Sequence, residues 1–105
     1  MRRTFLVLLF VACAAPAARA DEITVGQKDK VFSTDTATLK SGDDIKFVND
    51  DRVAHNVLVT GPHDETKNSG LQSPGESTTL TFDKPGKYDV ECAIHPQMRM
   101  TVTVK

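Results

Sequence analysis

Tyr88-Asp89-Val90-Glu91-Cys92-Ala93-Ile94-His95-Pro96-Gln97-Met98-Arg99-Met100 gathers a thiol, an imidazole and two thioethers within a single short stretch. Tyr88, Val90 and Cys92 alternate with Asp89 and Glu91, which is the two-residue period of a strand with one buried face. The stretch therefore reads as a strand that runs up to the thiol, a tight loop carrying the imidazole, and a last strand continuing through Val102 and Val104. Thiolate and thioether donors select soft ions, copper above all among the common biological metals, and imidazole suits copper too. A second imidazole stands at His55, in Ala54-His55-Asn56-Val57-Leu58-Val59, where the apolar run marks a strand beginning at the histidine itself.

Outward from these two segments the pattern is of short strands and turns, with no helical period over any long window. Ile23 and Val25 alternate with polar neighbours, and Val31-Phe32 begins a second strand. Thr36 to Lys40 leads into the turn Ser41-Gly42-Asp43. Asp44 to Asn49 is a half-buried strand with Ile45 and Phe47 inward, followed by a polar turn through Asp50, Asp51 and Arg52. Gly61 to Glu76 holds Pro62, Gly70, Pro74 and Gly75 with Leu71 its one large apolar residue, so a long surface loop is expected, with His63 solvated in it. Ser77 to Phe82 resumes the alternation, and Lys84-Pro85-Gly86-Lys87 turns the chain into the Tyr88 strand. The expectation is an all-β, two-sheet antiparallel β-sandwich of about eight strands with Greek-key connections. Strand parity puts His55 on the face of Val57 and Val59, and Cys92 on the face of Tyr88 and Val90. Both would lie on core-facing tracks at strand ends.

Residues 1–20 read as a secretory signal peptide: Arg2 and Arg3 give a basic start, Phe5 to Ala15 are almost wholly apolar, and Ala18-Arg19-Ala20 is a cleavage site of the small-x-small type. A lipoprotein reading at Cys13 is disfavoured by Phe10, which stands where such a signal prefers Leu. Residues 21–105 then form one small domain, exported and without membrane insertion. Arg2, Arg3 and Arg19 leave with the signal, so ten of the 13 basic residues face all 14 acidic ones, a balance of −4. That balance excludes nucleic acid as an expected partner. Cys92 is then the only cysteine left, which forbids an internal disulfide. With His95 three residues on and Met98 three further, metal ligation is the expected use of the thiol.

His55-Asn56-Val57, Pro85-Gly86-Lys87-Tyr88, Leu39-Lys40-Ser41-Gly42-Asp43 and Cys92-x2-His95-Pro96-x-Met98-Arg99 together resemble the cupredoxins, in particular their amicyanin group. The resemblance covers essentially all of residues 21–105. It implies a type 1 copper ion cycling between Cu(I) and Cu(II), held by His55, Cys92, His95 and Met98, and a periplasmic monomer that is not an enzyme. It also implies single-electron transfer between periplasmic redox proteins, with a dehydrogenase as donor and a c-type cytochrome as acceptor. The residue after the first histidine, Asn56, would donate its N–H to the cysteine sulfur and tie two loops together with its side chain. Met100 is the alternative axial ligand; Met98 is preferred because it leaves enough chain for the last strand. A cysteine hydrolase would need an orienting acid and a cleft that the sequence does not offer, and zinc would rarely recruit methionine. The alternative function is a copper carrier or resistance protein that delivers the ion without redox cycling.

Overall fold

The computed structural model describes residues 20–105; the signal-peptide reading of residues 1–19, and Cys13 with it, lies outside them. Nine strands are found among the described residues: β1 (Glu22–Lys28), β2 (Val31–Phe32), β3 (Thr36–Leu39), β4 (Asp43–Asn49), β5 (Val57–Thr60), β6 (Thr66–Asn68), β7 (Ser77–Phe82), β8 (Gly86–Cys92) and β9 (His95–Val104). They form two sheets, of order β2-β1-β4-β7 and β3-β9-β8-β5-β6. The all-β sandwich is as expected. Its sheets, however, are mixed, because β1 pairs with β4 and β3 with β9 in parallel. After the β1–β2 hairpin the chain crosses to the other sheet as β3 and returns as β4, which brings β4 back beside β1 in the same direction. Side-chain alternation carries no signal of strand direction, so the sequence could not show this.

β4 is the clearest case of pattern becoming structure. Its burial alternates without a break, with Ile45 and Phe47 fully buried and Asp43 and Asn49 buried at its two ends. At one end Asp43 accepts N–H groups from Asp21 (3.0 Å) and Lys40 (2.8 Å), satisfying a buried carboxylate. The turn before it closes on Gly42, whose φ of 94° suits glycine. Asn49 marks the opposite end, where the polar side chains described below converge.

Between the sheets, Phe47 meets Phe32 edge to face with ring centroids 6.3 Å apart. From the other sheet come Val57, Val59, Val90 and Val102, all at most 2% exposed. Phe82 and Tyr88 pack edge to face at 5.2 Å, and the Tyr88 hydroxyl donates to the Lys84 carbonyl.

The expected surface loop over 61–76 departs from expectation in two places. Thr66-Lys67-Asn68 forms β6, exposed throughout and paired to the edge of β5. It has no apolar face, so only its backbone bonds define it. Further on, Leu71 is 66% exposed while its neighbour Gln72 is buried, at 1%.

Phe47→Ala empties the centre of the sandwich and should cost about 3–5 kcal/mol, whereas Val31→Ala on the surface should change stability by less than about 0.5 kcal/mol. Urea denaturation of both variants checks this; a similar midpoint for the two would contradict the assigned core.

Candidate metal centre

Three strand ends build the centre. Cys92 closes β8, Ala93 and Ile94 make the turn, and His95 opens β9; on the other flank Val57 of β5 is paired with Cys92. His55 lies two residues before Val57, ahead of the strand that had been expected to start at it, and is joined to Gln72 by an isolated antiparallel bridge. His55 and Cys92 are fully buried on the core-facing tracks that parity required, and His95 is half-buried.

The donor atoms converge. Cys92 Sγ is 3.6 Å from Nδ1 of His55 and 3.6 Å from Nδ1 of His95, and the two Nδ1 atoms are 3.2 Å apart. Donors sharing one first-row ion at about 2.0–2.3 Å stand roughly 3–4 Å from each other, so this triangle fits a single ion. It is the one such His/Cys/Asp/Glu group among the described residues. Two imidazoles and a cysteine sulfur, with buried methionines following on β9, suit copper better than zinc.

Supporting groups fix the donors. His55 Nε2 lies 2.9 Å from Asp51 Oδ2; an ionised carboxylate only accepts, so Nε2 carries the proton and Nδ1 presents its lone pair to the centre. Asp51 is held in turn by the backbone N–H groups of Lys30 (2.9 Å) and Arg52 (2.8 Å). The Lys30 N–H, then the His55 ring, then the Arg52 N–H keep its carboxyl well below the usual carboxylate range. Lys30 sits in the two-residue β1–β2 turn, where both Asp29 and Lys30 have positive φ (53° and 58°). Such non-glycine residues carry local strain, which here aims an N–H at the carboxylate.

Asn56 N–H points at Cys92 Sγ at 3.4 Å, as the resemblance implied. The implied tie between loops is different in kind: the Asn56 carbonyl accepts from Ala93 N–H at 2.8 Å, while its side-chain Oδ1 has no partner among the described residues.

Met98 and Met100 are both buried on β9. Val90 pairs with Met100 and Glu91 with Arg99, but Cys92 pairs with His95, so Pro96 to Met98 form an irregularity beside the thiol. Met100 lies opposite Val90, two residues further from Cys92. His63 is exposed and outside the centre, as expected. Two residues of this region were not singled out from sequence. Asp51, four residues before His55, was read only as part of a polar turn, although that spacing is a usable signal. Gln72 carries no signal at all, since a buried amide beside an exposed leucine inverts the usual pattern.

The model of copper-binding proteins of the plastocyanin/azurin family matches residues 19–105. Amicyanin of Paracoccus versutus is 29% identical over 96 residues, covering 88% of this chain and 71% of that protein. Pseudoazurin of Methylorubrum extorquens is 34% identical over 101 residues, covering 90% of this chain and 67% of that protein. Among solved structures, a mutant of amicyanin in its reduced Cu(I) form at pH 4 superposes with a TM-score of 0.72 at 27% identity, over 87% of this chain and 88% of that one.

Removing the acceptor in Asp51→Ala frees the His55 proton to occupy either nitrogen, and affinity for cupric ion should fall about 10- to 100-fold. Asp51→Asn, whose amide oxygen still accepts, should fall less. Titration against a competing chelator measures both; equal affinity in all three proteins would remove Asp51 from the centre.

Proposed function

The chain belongs to the plastocyanin/azurin family of copper-binding proteins, and from that premise we propose that it holds one type 1 copper ion on His55, Cys92, His95 and Met98 and carries single electrons between redox proteins of the periplasm. The observation that carries this reading is the convergence of Cys92 Sγ and the two Nδ1 atoms at 3.2–3.6 Å on strand ends of a packed sandwich. Copper, when bound, supplies one-electron chemistry between its cuprous and cupric states.

The chain's part is to keep its donors still. His55 and Cys92 have no exposed surface; Cys92 is paired with Val57 on one flank and His95 on the other, and His55 is bridged to Gln72. The Asn56 N–H against the thiolate draws charge from the sulfur, and such outer hydrogen bonds tune potential. Met98 is the proposed axial donor because it lies within the β8–β9 irregularity next to Cys92, between the Cys92–His95 and Glu91–Arg99 pairs, whereas Met100 pairs with Val90, two residues further from Cys92. His95, the half-buried donor, gives electrons their way out. The burial of the other two disfavours the carrier alternative, which requires a site that exchanges its ion readily.

Export and partners complete the proposal. Residues 1–20 are taken as a signal removed after Ala20. In support, β1 begins at Glu22, and the N–H of Asp21 already donates to the buried Asp43 carboxylate at 3.0 Å, so cleavage would leave an ammonium group beside an anion. The likeness to amicyanin favours a dehydrogenase as donor and a c-type cytochrome as acceptor.

The copper-loaded protein should show an intense visible sulfur-to-copper charge-transfer band. Cys92→Ala should abolish it, Met98→Ala should keep a coloured but altered site, and Met100→Ala should leave it unchanged. A colourless copper complex would favour carriage over electron transfer, and a spectrum altered by Met100→Ala but not by Met98→Ala would reverse the axial assignment.

A further inference from the structure

Gln72 uses every polar group it has. Its backbone N–H donates to the His55 carbonyl (2.7 Å), and its carbonyl accepts from both His55 N–H (3.1 Å) and Asn49 Nδ2 (3.0 Å). In its side chain, Oε1 accepts from Gln27 Nε2 (2.8 Å), while Nε2 donates to the Phe47 carbonyl (3.1 Å) and Thr78 Oγ1 (3.1 Å). Gln27, Asn49 and Gln72 are all at most 1% exposed. Burying amides is costly unless they are bonded, and the loop does so while leaving Leu71 66% exposed. Such a local reversal of the hydrophobic pattern points to a role beyond packing.

That role follows from where the bonds go. The Gln72 side chain is anchored to β1, β4 and β7, all of one sheet, through Gln27, Phe47 and Thr78. Its backbone is bonded to His55, which lies before β5 on the other sheet. β5 pairing begins only at Val57, so without Gln72 both backbone groups of the fully buried His55 would be left unpaired. Asn49 joins this support to the other one: its Nδ2 donates to the Gln72 carbonyl and its Oδ1 accepts the Asp51 N–H at 2.9 Å.

We infer that Gln72 is a positioning residue for His55, a clamp between the sheets through which the Gln27–Gln72–Asn49 network sets where the Nδ1 atom of that histidine stands. The inference rests on the copper reading of the centre. A residue that merely anchors its loop would affect stability alone; a positioning residue also sets the properties of the metal.

The test compares wild type with Gln72→Met, which keeps the side-chain length and removes its three hydrogen bonds. Cupric ion is titrated against a competing chelator, and the visible band and the copper hyperfine splitting in electron paramagnetic resonance are recorded beside the melting of the metal-free protein. The expected result is a folded variant with affinity lower by about tenfold or more and a shifted band and splitting. A folded variant with wild-type affinity, band and splitting would overturn the inference. If Gln72→Met does not fold, Gln27→Met, which removes only the 2.8 Å donor, is read in the same way: a smaller shift in the same direction supports the clamp, and no shift overturns it. A wild-type protein without the intense band would defeat the blue-copper reading, and the affinity ratio between wild type and variant would then decide the role of Gln72 by itself.

Discussion

Two imidazole nitrogens and a cysteine sulfur facing one point from 3.2 to 3.6 Å apart are the constraint on which the rest of the structure depends. Electron-rich atoms do not gather so closely in a buried place unless other bonds hold them there. Each donor is accordingly tied down from behind. Cys92 is the paired end of β8, with the Asn56 N–H on its sulfur. His95 is fixed by the two-residue turn Ala93-Ile94 that precedes it and by its pairing with Cys92. His55, outside any regular strand, relies on Asp51 for its tautomer and on Gln72 for its backbone.

These supports come from different parts of the chain and explain otherwise unrelated features. The strained Asp29-Lys30 turn supplies an N–H to Asp51, and β4 ends in a buried asparagine that bonds to Gln72 and Asp51. Polar side chains that would weaken an ordinary core are concentrated at one end of the sandwich, where they fix geometry. The apolar middle, around Phe47, supplies the stability that such an arrangement requires.

The convergence of His55, Cys92 and His95 was legible in the sequence because ligand chemistry restricts residue type and spacing: Cys92 and His95 on one tight loop, and His55 with strand parity that aims it inward. Ile45 and Phe47 were legible for the same two-residue period. What stayed hidden was what periodicity does not encode. The parallel β1–β4 and β3–β9 pairs depend on the path of the chain between sheets, and β6 depends on backbone bonds of a wholly polar segment. Gln72 was concealed because the sequence around it has the composition of a solvated loop, and only tertiary contacts turn its amide inward. Asn56 shows the limit of resemblance, since among the described residues its carbonyl joins the two loops while its side-chain Oδ1 has no partner.

The central claim is that one copper ion sits on the same donors in both oxidation states, so that an electron can pass with little rearrangement. X-ray absorption at the copper edge, recorded on the oxidised and the reduced protein, tests it most directly. One ion per chain with two nitrogen neighbours and one short sulfur in both states, at nearly unchanged distances, is the predicted result. A reduced protein that releases its copper, or an oxidised site lacking the short sulfur, would contradict it.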